Sequence, residues 1–247
     1  MSASHLSPTP ASPIRRVWRL DLEIGFVAAV IVAWQAARIP LEGSESEAFA
    51  HARSWLRAER ALHVDVEDEL IRAVHAAGLS GVVDFLYSNL HLVGIGVFLL
   101  AARLLAAHAY PAIRTTFVLA HLPALAVLGV FPLAPPEWLP EMPYAKGPPE
   151  GGLTGSFGDD LRNSTAAAVS LHFGYALLAG VATWWLARHR TRLAPLAFLW
   201  PLLVLFVIVG NGNHYVLDAL VGAACMTLAA VAAYALHRRK PQLQWAP

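Results

Sequence analysis

Two histidines and one aspartate stand at the heads of two apolar runs, where polar side chains are rare. His172 follows Ser170 and Leu171 at the head of one run, and His214 and Asp218 open another. An ionisable group inside a membrane span costs about 2.5–3.5 kcal/mol on insertion scales, so such groups usually mark a site or a relay. The spacing of four between His214 and Asp218 places both side chains on one helical face. A carboxylate in that position can orient an imidazole as a nucleophile.

A phosphate ester is the substrate that these side chains would suit. His214 would attack phosphorus while Asp218 fixes its tautomer, and His172 would protonate the leaving oxygen. Water or an alcohol would then attack the phosphohistidine. The unpaired N–H groups at the start of each span predict an anion site, with Ser170 and Asn213 as helix caps that also donate to phosphate. Zinc held by the two histidines and the aspartate is the competing interpretation, although no further ligand stands at metal spacing.

The composition indicates a membrane protein. Of the 247 residues, 57% are hydrophobic and 14% charged, and the mean hydropathy is +0.51, whereas a soluble domain has about 25% charged residues. The net charge of +1 gives no indication of a nucleic-acid partner, and the single cysteine excludes a disulfide framework. We predict a disordered cytoplasmic tail over residues 1–19, which are rich in Ser and Pro near their start.

Six apolar segments are long enough to be considered as spans, which take roughly 20 residues each. They lie near residues 20–39, 82–105, 114–132, 168–187, 193–210 and 214–236. The sequence therefore predicts an all-α protein with one membrane domain over residues 20–240, a six-helix transmembrane bundle. For the first segment, a cleaved signal peptide is the alternative, because arginines precede it and small residues end it.

Two stretches between the spans have a different pattern. Residues 44–77 alternate apolar and charged side chains after a capping-box start, which predicts two amphipathic helices at the membrane interface. A solvated helical hairpin is the alternative. Residues 132–165 are rich in Pro and Gly and predict a long outer loop, a lid or a binding element.

The basic residues predict the topology. If the N-terminus is cytoplasmic, arginines and lysines concentrate in the cytoplasmic segments and acids in the others, which is the positive-inside pattern. We expect a multi-pass protein of the cell membrane with both termini in the cytoplasm. The fourth and sixth spans then both begin on the outer side, so His172, His214 and Asp218 lie at one depth although the histidines are 42 residues apart.

The motifs Ser170-Leu171-His172-Phe173-Gly174 and Gly212-Asn213-His214-Tyr215-Val216-Leu217-Asp218-Ala219 resemble the second and third signatures of the type-2 phosphatidic acid phosphatase superfamily. The branch that they resemble contains inositol phosphorylceramide synthases and their bacterial relatives. Phe131-Pro132-Leu133-Ala134-Pro135-Pro136 is similar to its loop motif, and Glu59-Arg60-Ala61-Leu62-His63 fits its N-terminal half less specifically.

The resemblance implies a metal-independent six-helix bundle that uses no cofactor. His214 would be the nucleophile, Asp218 the group that orients it and His172 the acid and base. Tyr215, inside the last motif, is expected to contact the substrate.

The chain also departs from the superfamily's pattern at basic positions. Val207 and Ile208 stand where the superfamily has Ser-Arg, and Glu137 stands where the branch often has Arg. Arg162 and Lys146, both in the outer loop, are our candidates for the cations that bind phosphate. These departures leave two alternatives open, an inactive protein and an enzyme with a different substrate.

Together these features predict a phosphatase or phosphotransferase for a lipid phosphate that arrives from the outer leaflet. The lipid substrate and the surrounding membrane lipids are the expected partners. Transfer of a head group to an alcohol acceptor is one alternative, and a non-catalytic lipid-binding membrane protein is another.

Overall fold

The helices occupy almost the whole described chain. A computed structural model describes residues 13–147 and 165–239, and within these ranges the chain forms eight α-helices and no multi-residue strand. They are α1 (Pro13–Arg38), α2 (Glu45–Leu62), α3 (Glu67–Ala76), α4 (Ser80–Leu105), α5 (Tyr110–Val130), α6 (Leu171–Ala187), α7 (Leu199–Gly210) and α8 (Val216–Arg239). The predicted all-α class is confirmed.

Three helices in the described part of the chain are long and apolar enough to cross a membrane: Leu20–Leu41, Tyr110–Val130 and Val216–Arg239. The pair Glu67–Ala76 and Ser80–Leu90, which bends by 116°, could supply a fourth crossing. The remaining apolar helical stretches, Leu92–Leu105 of α4, Leu171–Ala187 and Ala194–Gly210, are shorter. At 1.5 Å per residue, the 17 residues of α6 reach about 25 Å, less than the roughly 30 Å of a hydrocarbon core. The three long helices indicate a membrane protein, and the six-helix bundle stays a prediction.

Exposed apolar side chains support the membrane assignment. Leu22 on α1, Leu105 on α4 and Val130 on α5 are 74, 85 and 79% exposed. A soluble monomer rarely leaves such side chains uncovered in contiguous patches, whereas lipid tails solvate them.

Small residues let the central helices approach closely. α8 packs against α5 and α6, and its buried face carries small or slender side chains, namely Ala219, Gly222, Cys225, Met226, Ala229 and Ala233. Small interfacial residues are typical of helix packing in membranes. A buried polar contact adds to this packing, because Nε2 of His121 on α5 lies 2.7 Å from the Tyr175 hydroxyl on α6.

The two helices predicted between the first spans are present as α2 and α3. The Ser44 side chain accepts the N–H of Glu47, as expected of an N-cap. The apolar face of α2 is buried within the protein, where Ala48 lies in the main core and its carbonyl accepts the N–H of Ala134 at 3.2 Å. These helices therefore cover one end of the bundle, and their contact with the membrane interface stays a prediction.

The first part of the loop after α5, residues 133–139, is largely buried. It forms a short 3₁₀ helix at Pro136–Trp138 and a single bridge between Leu133 and Ala166. The rest of the predicted outer loop, residues 148–164, lies outside the described residues.

α1 begins earlier than the sequence predicted. Its first residue is Pro13, so residues 13–19 are helical, not part of a disordered tail. Proline is favoured in the first turn of a helix because its fixed φ suits the position and its missing N–H is not needed there. Residues 1–12 of the predicted tail lie outside the described residues.

One glycine sets the spacing between α6 and α8. A Cβ at Gly222 would lie 2.1 Å from the backbone carbonyl oxygen of Ser170, far inside van der Waals contact. We expect Gly222→Ala to push α8 away from the start of α6 and to lower stability by about 1–3 kcal/mol. Thermal unfolding of the purified protein in detergent measures this change.

Gly96→Ala is the matched control, because a Cβ at Gly96 on α4 meets nothing within 4 Å. Alanine should leave stability unchanged there or raise it by up to about 1 kcal/mol. Equal melting temperatures for the two variants would contradict the close approach at Gly222.

Candidate functional site

A buried carboxylate orients the His214 side chain. Nδ1 of His214 lies 3.1 Å from Oδ2 of Asp218, a residue with no exposed surface. The same oxygen accepts the backbone N–H of Tyr215 at 2.8 Å. When Nδ1 donates its hydrogen to Asp218, Nε2 of His214 keeps its lone pair. The pair expected from the spacing therefore forms, although His214 lies two residues before α8 and not within it.

A glycine turn between α7 and α8 places His214 beside Asp218. Gly212 adopts φ +83°, a left-handed conformation that a residue with a side chain rarely tolerates. The N–H of Gly212 then donates to the Val209 carbonyl, and the N–H of His214 donates to the Ile208 carbonyl at 3.2 Å. The turn thus aims the His214 imidazole back toward α8.

The second histidine lies next to the first. The ring centroids of His172 and His214 are 5.2 Å apart. Tyr87 on α4 stacks on His172 with centroids 4.8 Å apart and lies 6.1 Å from His214. His172 is half-buried, whereas His214 is buried. Three aromatic rings from α4, α6 and the α7–α8 turn therefore converge.

A backbone contact brings the two motifs together. The N–H of Ser170 donates to the Asp218 carbonyl at 3.1 Å, and Gly222, one turn further along α8, lies against the same segment. This contact joins the start of α6 to the first turn of α8. It explains how histidines that are distant in sequence become neighbours.

Carboxylates occupy the N-terminus of α8, contrary to the anion site predicted there. The N–H of Val216 donates to Oε1 of Glu67 at 2.9 Å, and the N–H of Leu217 donates to Oε1 of Glu59 at 2.7 Å. The N–H of Tyr215 is bonded to Asp218. The prediction was wrong for α8 because side chains from α2 and α3 already satisfy the groups that a phosphate would need.

The two predicted helix caps have different outcomes. Ser170 caps α6, because its side chain accepts the N–H of Phe173 at 3.4 Å. Asn213 does not cap α8, which begins three residues later; its side-chain amide donates to Asn211, which in turn donates to Asp84. Ser170 has no exposed surface. Donation from Ser170 and Asn213 to a phosphate stays a prediction.

Lys146, one of the two candidate cations, is paired with an acid. Its Nζ lies 2.9 Å from Oε2 of Glu137. The backbone N–H of Glu137 donates to the Gly212 carbonyl at 2.8 Å, so this ion pair packs on the turn that carries His214. Arg162, the other candidate, lies outside the described residues.

Tyr215 has a structural role. Its side chain has no exposed surface, and its hydroxyl donates to the Ala134 carbonyl at 2.9 Å. It therefore fixes the loop after α5 to the start of α8. Contact between Tyr215 and a substrate stays a prediction.

The zinc alternative finds no ligand set in the part of the chain that the structure describes. Within residues 13–147 and 165–239, no three His, Cys, Asp or Glu side chains are grouped so that they could hold one metal ion.

Three residues around the site, Tyr87, Glu59 and Glu67, were not predicted to belong to it. The stretch from Tyr87 to His91 resembles the family's N-terminal half only weakly, which did not mark Tyr87 as a site residue. Glu59 and Glu67 did show a pattern, because each stands on the buried stripe of its helix. The buried residues are Ala48, Ala52, Leu56 and Glu59 on α2, and Glu67, Ile71 and Val74 on α3. An acid at an apolar position of an amphipathic pattern indicates a buried partner.

The long apolar helices indicate a membrane protein, and its side-chain cluster has two neighbouring imidazoles beside a buried carboxylate. Comparison with known families agrees with this class. A PAP2 superfamily model matches residues 53–232, and the chain belongs to the PAP2 superfamily. Members of this superfamily are usually phosphatase-type enzymes. No curated protein and no solved structure matches the chain.

Proposed function

We propose that this protein is a membrane phosphatase or phosphotransferase that acts on a lipid phosphate through a phosphohistidine at His214. The observation that carries the proposal is the geometry of three side chains. The Asp218 carboxylate orients His214, and the centroids of the His172 and His214 rings are 5.2 Å apart. Superfamily membership supports phosphatase or phosphotransferase chemistry. The resemblance to inositol phosphorylceramide synthases makes that branch part of the proposal.

The reaction divides into two steps of one covalent mechanism. In the first, the Nε2 lone pair of His214 bonds to phosphorus, the ester P–O bond breaks, and His172 gives its proton to the leaving oxygen. In the second, water bonds to phosphorus while His172 takes its proton, and the N–P bond breaks to release phosphate. Asp218 stabilises the imidazolium character that develops on His214. No step requires a metal or a cofactor.

Phosphate also needs positive charge nearby, because charge builds on its oxygens during transfer. The carboxylates at the start of α8 remove that helix end as a source. We retain Arg162 and Lys146 for this role. Lys146 would have to exchange the Glu137 side chain for the substrate, and the Glu137 backbone N–H is bonded to the Gly212 turn.

An apolar cavity along α4 and α6, the helices that carry Tyr87 and His172, suits a lipid tail. It has a volume of about 450 Å³ and is lined by α4, α6, α7 and the 3₁₀ turn before α7, with Leu90, Phe98, Ala179 and Trp200 among the lining residues. Ala179 follows His172 on α6 by seven residues, about 10 Å along the helix. A phosphate at the histidines and a tail in this cavity would lie along the same two helices, α4 and α6.

Replacement of His214 by Ala tests the mechanism. We expect phosphate release from phosphatidate by the purified protein to fall by about 10³-fold or more, because the nucleophile is gone. His108→Ala is the control, since His108 is exposed. Turnover by His214→Ala equal to that of the control would refute catalysis and favour the non-catalytic lipid-binding alternative.

The same assay with EDTA separates this chemistry from the zinc interpretation. The proposal predicts unchanged turnover after chelation. Strong inhibition that added Zn²⁺ reverses would overturn metal independence.

Head-group transfer to an alcohol is the second candidate function, favoured by the resemblance of the motifs to the transferase branch. It shares the phosphohistidine and differs in the group that attacks it. Exchange of a labelled head group without release of free phosphate would select transfer, and release of free phosphate alone would select hydrolysis.

The proposed topology places the site at the extracytoplasmic face, with both termini in the cytoplasm and the lipid arriving from the outer leaflet. Single cysteines in a Cys225→Ala background test this arrangement. Ala145→Cys and Arg190→Cys both occupy exposed positions. We expect a membrane-impermeant maleimide to label residue 145 in intact cells and residue 190 only after permeabilisation. The opposite pattern would invert the topology.

A further inference from the structure

Two carboxyl side chains from α2 and α3 are buried beside the histidine site. Glu59 and Glu67 have 0 and 1% of their surface exposed. Acids are almost never fully buried unless they have partners, because burial without hydrogen bonds costs several kcal/mol. Their burial therefore indicates a specific role in this part of the fold.

The turn between α2 and α3 brings the two acids together. His63 adopts a left-handed conformation at the end of α2, with φ 57° and ψ 40°. The N–H of His63 donates to the Arg60 carbonyl and that of Val64 to the Glu59 carbonyl, which is the hydrogen-bond pattern of a Schellman motif. Glu59 thus lies in the last turn of α2 and Glu67 in the first turn of α3, on either side of a sharp reversal.

Both acids are bonded to the helix that carries Asp218. Three consecutive backbone N–H groups at the start of α8 each donate to a carboxyl oxygen: Tyr215 to Asp218, Val216 to Glu67 and Leu217 to Glu59, at 2.8, 2.9 and 2.7 Å. These hydrogen bonds satisfy N–H groups that the helix itself leaves unpaired. They fix the first turn of α8 against α2 and α3.

We propose that Glu59 and Glu67 are positioning residues for the His214–Asp218 pair, which they hold at its working geometry through the backbone of Val216 and Leu217. Neither acid touches the reacting atoms in this proposal. Their effect on catalysis rests on the function proposed above, whereas their effect on the structure of α8 does not.

The charges around Glu59 make this arrangement sensitive to pH. The groups whose charges act on it are Glu67 from α3 and Asp218 from α8, with His214 on the far side of Asp218. Burial, and then repulsion from Glu67, raises the pKa of Glu59 from 4.5 to about 8. Between pH 4.5 and about 8, Glu59 therefore keeps its proton in the folded protein and loses it in the unfolded chain. Its contribution to the free energy of unfolding is fully present below pH 4.5 and is lost as the pH rises through about 8.

Substitutions at Glu59 test the positioning role. Glu59→Gln keeps an oxygen that can accept the Leu217 N–H and cannot ionise, whereas Glu59→Ala removes the acceptor. We expect Glu59→Ala to lower kcat by about 10- to 100-fold with little change in KM, because a misplaced nucleophile slows chemistry more than binding. Glu59→Gln should restore most of kcat near pH 6.5 and lose less activity than the wild type between pH 7 and 9.

Glu47→Ala is the matched control, an exposed acid on the same helix, and should leave kcat unchanged. The proposal is overturned if Glu59→Ala lowers kcat no more than Glu47→Ala. It is also overturned if Glu59→Gln is as impaired as Glu59→Ala, or if the pH profile of Glu59→Gln matches that of the wild type.

A stability measurement distinguishes failure of this proposal from failure of the proposed function. Between pH 5 and 9, the melting temperatures of the full-length wild type and of Glu59→Gln are compared. That of the wild type should fall further, by an additional 2–4 °C or more, which is about the shift that 1 kcal/mol produces. This result does not require any substrate. Equal falls for both proteins would refute the charge coupling at Glu59 whatever the activity assays show.

Discussion

The buried carboxylate of Asp218 is the interaction on which the rest of the site depends. A charge without exposed surface is tolerated only when hydrogen bonds replace its water. Its side chain is hydrogen-bonded to Nδ1 of His214 and accepts the N–H of Tyr215. Its backbone carbonyl accepts the N–H of Ser170. One residue thus joins the α7–α8 turn, the start of α8 and the start of α6. The histidines are neighbours because both of their segments are tied to it.

The polar start of α8 imposes a second constraint on the fold. Backbone groups that the helix itself does not satisfy must find partners, and in or near a membrane those partners must come from the protein. α2 and α3 supply them at the start of α8, and the loop after α5 accepts a side-chain hydroxyl there. Glu59 and Glu67 accept two N–H groups, and Tyr215 fixes the loop through Ala134. These elements therefore form the support for the site, although none of them belongs to the long apolar helices.

Apolar periodicity predicted much of this architecture. Each of the six apolar segments contains an α-helix, and the amphipathic stretch forms α2 and α3. The fourth and sixth spans were expected to begin on the same side of the membrane, which also predicted that His172 and His214 would lie close together. Partners of individual backbone groups could not be predicted, because sequence spacing does not show which distant side chain reaches a helix end. For that reason the anion site at α8 and the cap at Asn213 were wrong. Helix lengths could not be predicted from the apolar pattern either. α7 ends after 12 residues, and three described helices, or four with the bent pair, are long and apolar enough to span.

The central claim is that His214, oriented by Asp218, bonds to phosphorus. Trapping of the covalent intermediate tests it most directly. In a His172→Ala variant, p-nitrophenyl phosphate supplies a leaving group that needs no proton, while the second step lacks its base, so the intermediate should accumulate. Mass spectrometry of the rapidly quenched protein should then show one phosphoryl group on the imidazole of His214. A phosphoryl group on another residue, or none during measurable turnover, would contradict the account.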